Sequence, residues 1–147
     1  MVKNSKQEIL NKILKETYCR LMPSEIQGVG VFAVKDIPKS ANPFPDVPKQ
    51  KWVAFKESDF AKAPIGIKKM LSAFFVSDKK GKIFIAEGGL NNIDISFYIN
   101  HSKSPNLITR DDGENFITRR KIKKGEELTV DYSTYAPDFQ ESLANGH

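Results

Sequence analysis

Asn100-His101-Ser102-Lys103-Ser104-Pro105-Asn106 gathers amide, imidazole and hydroxyl groups into one short stretch, directly after the apolar run Ile95-Ser96-Phe97-Tyr98-Ile99. A turn closed by proline can fix such groups against a ligand; it can equally be a loop satisfied by its own Asx-type hydrogen bonds around a structural histidine. Gly125-Glu126-Glu127-Leu128-Thr129-Val130-Asp131-Tyr132 begins on a turn glycine and passes through a short strand to Asp131 and Tyr132. The tyrosine hydroxyl then faces a pocket or sits at the rim of the core, while Glu126 and Glu127 read alone as solvated charges. Gly28-Val29-Gly30-Val31-Phe32-Ala33 matches the G-x-G-x-x-A of a dinucleotide turn, but Asp36-Ile37-Pro38 follows too soon for the helix that would hold a phosphate. A plain β-turn is the competing reading. A Ser-His-Asp triad fits poorly, because the other histidine is His147 and no residue stands out as a nucleophile on a strained elbow.

The elements that must position these groups are short. Ile9, Leu10, Ile13, Leu14 and Tyr18 recur at helical spacing among Lys6, Glu8, Lys12, Lys15 and Glu16, which predicts an N-terminal helix. From Tyr18 to Val34 the chain reads as extended segments broken at Pro23-Ser24 and at Gly28-Val29-Gly30. Asn42-Pro43-Phe44-Pro45-Asp46-Val47-Pro48 is too rich in proline for helix or central strand. Pro64 opens a helix of about two turns, ending before the β-prone run Phe74-Phe75-Val76. Asp78-Lys79-Lys80-Gly81 and Asp111-Asp112-Gly113 each read as hairpin turns. Phe32 to Ser40 also echoes Ile117 to Gly125, as two strand-to-turn exits and not as a solenoid repeat. Many short strands, few helices and no sustained β-helix-β alternation predict an irregular, mostly β fold.

Composition limits the classes of function. At 147 residues the chain suffices for one domain, burying roughly 68–70% of its unfolded surface. The single cysteine, Cys19, excludes an internal disulfide and zinc sites built on several thiolates. No stretch approaches the apolar length of a spanning helix and the first residues are charged, so no membrane role and no leader are expected. The net charge of +5 leaves contact with nucleic acid as a secondary expectation, carried by Arg119-Arg120-Lys121-Ile122-Lys123-Lys124. With few aromatics interleaved, that run reads mainly as a solvated edge.

Taken together and in this order, the G-x-G turn, Asn-His-Ser followed by Pro-Asn, and Gly-Glu-Glu-Leu-x-x-Asp-Tyr resemble the SET domain of lysine methyltransferases, in the small stand-alone form of bacteria and large viruses without zinc-binding flanks. The resemblance spans roughly Cys19 to Tyr135. It implies an N-terminal helical extension over 1–18, a SET domain over 19–135 and a short tail over 136–147 without zinc. The fold implied is mostly β with short helices: small curved sheets, β-clip-like, closed by a C-terminal pseudoknot that brings Asn100-His101 beside Tyr132.

The same resemblance implies S-adenosylmethionine as cofactor, held by Gly28, Val29, Gly30, Tyr98, Asn100 and His101. The missing side chains of the glycines would admit close approach. Tyr135 or Phe139 would cover the adenine, unless a second subunit does so. Tyr132 matches the catalytic tyrosine, and Thr109 and Val130 would line the lysine channel. As neither is Tyr or Phe, more than one methyl transfer is expected. No metal is implied. The expected partner is a basic protein bearing a lysine, a histone tail or another such protein, acted on by a monomer or homodimer. The compartment would be the cytoplasm in a bacterium, or a host nucleus for a viral or secreted protein. The alternative is a non-catalytic module that binds protein or nucleic acid through its basic edge. Ser40 stands where many members have glycine and Lys103 where cysteine is frequent.

Overall fold

The computed structural model describes residues 5–45, 47–75, 77, 80–110 and 115–135. Helix α1 spans Lys6–Glu16. Ser5 caps it, its hydroxyl accepting from the Glu8 N–H at 3.1 Å, which satisfies one of the donors a helix start leaves unpaired. Its apolar stripe remains exposed at Ile9, Leu10, Ile13 and Leu14, and no residue of α1 is buried. Lys35 fastens the helix end: its Nζ donates to the carbonyls of Leu14 at 2.8 Å and Lys15 at 2.7 Å and lies 4.7 Å from the centre of the Tyr18 ring.

Strands β1 (Cys19–Pro23) and β2 (Val29–Ala33) form an antiparallel hairpin with Cys19 opposite Ala33 and Met22 opposite Gly30. Val29 and Gly30 therefore belong to the strand. The sequence expectation placed the break across Gly28-Val29-Gly30, yet only Gly28, at φ +48°, has turn geometry. The proline-rich loop carries no regular element at its described positions, as expected.

Strand β3 (Trp52–Lys56) was not anticipated; it pairs antiparallel with β4 (Lys82–Ala86), Phe55 opposite Ile83. Between them lies helix α2 (Ile65–Phe74), with Pro64 at its N-cap. The helix takes in Phe74, which the sequence assigned to a β run; the ring packs 5.3 Å from Tyr98, a tertiary contact that outweighs its β preference. The expected hairpin at Asp78 to Gly81 is also corrected. Lys80-Gly81 leads from a helix into β4, whose partner is β3, and Asp78 and Lys79 lie outside the described residues.

Strands β5 (Asn100–His101), β6 (Leu107–Arg110), β7 (Asn115–Thr118) and β8 (Glu127–Val130) complete the set. β6 and β7 are antiparallel with Arg110 opposite Asn115, in keeping with the hairpin read at Asp111-Asp112-Gly113, residues that are themselves not described. The largest sheet has the order β1-β2-β8-β5. β8 runs antiparallel to β2 and parallel to β5, with Asn100 opposite Thr129 and His101 opposite Val130. Three small sheets and two α-helices among the described residues make the fold mostly β. No described helix is long and apolar enough to cross a membrane.

The two echoing segments meet. Ile37 and Ile122, both fully buried, exchange backbone hydrogen bonds at 2.8 and 2.9 Å. On either side Ala33 N–H donates to Glu126 O at 2.9 Å and Thr118 N–H to Ala41 O at 2.9 Å, while Gly125 N–H reaches Ala33 O at 2.8 Å and Ser40 N–H reaches Thr118 O at 3.0 Å. The sequence echo is thus a local two-fold arrangement. Its two left-handed residues are Gly125 at φ +91° and, in the equivalent place, Ser40 at φ +63°.

Candidate functional site

The turn between β1 and β2 meets β5 and β8 around one polar cluster. Asn100, buried to 1% exposure, places Nδ2 2.8 Å from Glu127 Oε2, 3.1 Å from Ser24 Oγ and 3.1 Å from the Gln27 carbonyl. A carboxylate can only accept, so the amide nitrogen must face it, and Oδ1 accepts no hydrogen bond from the described residues. Ser24 Oγ donates to the Glu127 carboxylate at 2.7 and 2.9 Å and accepts from the Ile26 N–H at 2.9 Å, tying the turn to β8.

Gly30 is forced by this cluster: a Cβ there would fall on Glu127 Oε2 and lie 3.1 Å from Asn100 Nδ2. The missing side chain makes room for Glu127 and Asn100. Gly28 has open space where a Cβ would stand, and Val29 is exposed.

Asn106 explains the far end of the Asn-His-Ser…Pro-Asn pattern. Buried to 4%, it receives the Thr129 N–H on Oδ1 at 2.8 Å and donates Nδ2 to the Glu127 carbonyl at 2.8 Å, so it pairs with β8 as a strand would. This fixes β8 between β2 and the 100–106 segment.

The end of β8 delivers Tyr132 beside His101, as expected. His101 Nδ1 accepts the Tyr132 N–H at 3.1 Å, which puts the proton of the neutral ring on Nε2, and the two rings are 5.3 Å apart. Asp131 Oδ1 lies 3.9 Å from the same Nδ1. The Asp131 carboxyl is held below its ordinary range, chiefly by the Ser133 hydroxyl donating at 2.6 Å. The Tyr132 hydroxyl donates to the Ile99 carbonyl. Burial, aided by the Glu127 charge, pushes its pKa up to about 12, so the hydroxyl stays neutral at physiological pH. Tyr135 packs 5.9 Å from Tyr132, its phenol also pushed up by burial.

The remaining expected positions divide. Tyr98 packs on Phe74 and against the main core. Val130 is 1% exposed within that core, and Thr109 is half-buried with its hydroxyl 2.9 Å from that of Thr134. Phe139 lies outside the described residues. Sequence reasoning missed Ser24 and took Glu127 for a solvated charge. The signal available was the proximity of Glu127 to Tyr132 in one motif, but its partner Ser24 is 103 residues away.

Two cavities lie apart from these motif residues, one of about 300 Å³ lined by Glu57, Phe60, Leu71, Phe75 and Ile83, the other of about 320 Å³ lined by Tyr18, Cys19, Phe44, Val47 and Ile95. Burial pushes the Cys19 thiol up to about 12, which keeps it protonated and unreactive beside the second cavity. No cluster of three or more His, Cys, Asp or Glu suited to a metal occurs among the described residues.

No curated protein sequence matches the chain. Among solved structures, a Plasmodium falciparum protein described as a candidate histone methyltransferase is similar, with 17% identity over 79% of this chain and 93% of that one, at a TM-score of 0.49. The family model described as "SET domain" matches residues 28–133, from the turn glycine beside Ser24 to the residue after Tyr132. That span holds Asn100, His101, Glu127 and Tyr132 and well over half of the sequence, and the chain belongs to the SET domain family.

Proposed function

We propose that the chain is a protein-lysine methyltransferase that uses S-adenosylmethionine, with its working domain over 19–135. The observation that carries this reading is the convergence of Asn100, His101 and Tyr132 on the β5–β8 pair next to the Gly28–Gly30 turn. The donor set fits the cofactor. Asn100 Oδ1 offers an acceptor without a donor among the described residues, Gly28 and Val29 leave their face open, and the Glu127 carboxylate gives that face a negative character suited to an ammonium and a sulfonium.

When bound, S-adenosylmethionine supplies a methyl group activated by the positive charge on sulfur. The chain's own part is binding and alignment. Asn100, the His101 backbone, Gly28, Val29 and Gly30 would hold the cofactor, Tyr98 would add to its wall, and Tyr135 or Phe139, or a second subunit, would cover it. Tyr132 keeps a neutral hydroxyl, anchored on the Ile99 carbonyl, whose oxygen can orient a substrate amine. An amine entering a desolvated channel past Thr109 and Val130 loses its proton more easily than in water, so no separate general base is required. Without a tyrosine at either position, the channel admits more than one methyl. The substrate class is a basic protein, a histone or another.

The basic edge gives less support to a binding module: Arg120 pairs with Glu126 at 2.9 Å and Lys121 with Asp36 at 3.3 Å, so part of its charge is neutralised within the protein. Calorimetric titration of S-adenosylmethionine, with methyl transfer to mixed histones and to a cell lysate, tests the reading. Binding is expected, and Tyr132→Phe should lower transfer by about 10²-fold or more while cofactor binding persists. A wild-type chain that binds no cofactor would move the assignment to the binding module.

A further inference from the structure

Glu127 is a half-buried carboxylate that takes only neutral donors from the described residues. Its oxygens take the Ser24 hydroxyl at 2.7 and 2.9 Å and the Asn100 amide at 2.8 Å, and no described Lys, Arg or His forms an ion pair with it. Carboxylates elsewhere on the same segments find cations: Glu126, the preceding residue, has Arg120, and Asp36 has Lys121. In a chain of net charge +5, an acid withdrawn from solvent and left without a cation is costly unless something else neutralises it. Gly30, which faces it, brings no side chain to its carboxylate. Its field also reaches the end of β8, where it acts on the Tyr132 hydroxyl.

We infer that Glu127 is a positioning and charge-selecting residue of the cofactor face: it holds Asn100 with Oδ1 turned toward the ligand, and its own charge favours a ligand carrying a cation at sulfur over one that has lost it. The inference rests on the cofactor reading above. Transfer of the methyl from sulfur to a lysine nitrogen leaves the bonding pair of the broken S–C bond on sulfur as a neutral thioether, while the amine, which gave up its proton to solvent before attack, forms the N–C bond with its lone pair and takes up the positive charge. S-adenosylmethionine and S-adenosylhomocysteine thus share the ammonium and carboxylate and differ in one methyl and one charge. An uncompensated carboxylate nearby separates their affinities and helps the spent cofactor leave.

Calorimetric titration of both ligands into the full chain reads this without any turnover. Glu127→Gln keeps the size and the acceptor for Ser24 and removes the charge; it should weaken S-adenosylmethionine about three- to tenfold more than S-adenosylhomocysteine. Ser24→Ala loosens Asn100 but leaves the charge, so both ligands should weaken by a similar factor. Equal losses for the two ligands in Glu127→Gln, or no loss, overturn the inference while leaving the function in place. A wild-type chain that binds neither ligand overturns both. Should thermal melts show Glu127→Gln unfolded, salt titration of the wild type decides: the preference for the sulfonium narrows as salt rises if charge selects it, and an unchanged preference overturns the inference.

Discussion

Among the described residues the core beneath the four-stranded sheet contains ten buried side chains, with Val31, Ile37, Leu107, Ile122 and Leu128 at zero exposure, whereas the core between α2 and the β3–β4 pair contains three, Leu71, Ile83 and Ile85. The first lies directly under the candidate site: Ile99 and Val130 are core residues, and Asn100 and Asp131 are their chain neighbours. The second is finished by partly exposed aromatic rings, Phe55 and Phe60 at 5.4 Å and Phe75 and Phe97 at 5.4 Å, and borders a cavity of about 300 Å³. The contrast separates two tasks. Groups that align reacting atoms are mounted on close-packed strands, where small displacements are costly. The β3–α2–β4 unit is held by fewer buried side chains and touches the first core through Phe74 on Tyr98, so its local opening is expected to cost less than that of the four-stranded sheet.

Alanine substitutions give the largest test of this difference. Leu128→Ala should cost about 3–5 kcal/mol and lower the urea midpoint of the entire protein, while Leu71→Ala should cost about 2 kcal/mol. Hydrogen exchange sharpens the comparison: amides of β3 and β4 should exchange through local opening in Leu71→Ala, with those of β2 and β8 still protected. Uniform loss of protection would merge the two cores into one cooperative unit.

A smaller effect tests the two-fold arrangement at the centre of the first core. Ser40 and Gly125 occupy equivalent left-handed positions, so Ser40→Gly should raise stability by up to about 1 kcal/mol, and Gly125→Ala should lower it by about 1–2 kcal/mol. Thermal melts of both variants check the sign. Equal responses would mean that side-chain contacts, and not backbone geometry, dominate at these turns.

The smallest effect is alkaline. Burial raises the Tyr132 pKa from 10 to about 12, so the folded state resists losing that proton. Its contribution is intact below the unfolded value near 10 and disappears as pH rises toward the folded one, a loss of under about 1 kcal/mol near pH 10.5. Urea midpoints followed from pH 8 to 11 should fall more gently in Tyr132→Phe than in the wild type. As the shifted tyrosines belong to the first core, exchange from β3 and β4 should change less over the same range.

What the sequence revealed follows the range of the interactions involved. The three motifs were legible because each is a short segment whose turn chemistry is its own: Gly28, the run from Asn100 to Asn106, and Gly125 to Tyr132. The echo between Phe32–Ser40 and Ile117–Gly125 was legible too, although nothing in either segment alone told that Ile37 and Ile122 would bond to each other. Strand β3 escaped notice because its apolar residues have no periodic neighbours and follow a proline-rich loop; β4 defines it from across α2. Phe74 was misplaced for a similar reason, as its contact with Tyr98 depends on chain 24 residues further on. Glu127 and Ser24 were the hardest to foresee. Each is unremarkable where it stands, and their meaning comes from pairing across the hairpin turn and the last described strand.

That pairing has a consequence for how the protein is made. β8 sits inside the sheet, between β2 and β5, yet it is the last of the described strands along the chain. On a translating ribosome the β1–β2 hairpin and the β3–α2–β4 unit can assemble from their own contacts. Asn100, His101 and the Gly30 strand meanwhile wait for β8, whose Glu127 lies 103 residues along the chain from its partner Ser24. Until β8 docks, Asn100 has no carboxylate to turn its amide and Tyr132 has no His101 beside it. A chain halted before β8 emerges can hold the β3–β4 and β6–β7 pairs and the β1–β2 hairpin but none of its working groups in register, so the site is acquired only when β8 docks.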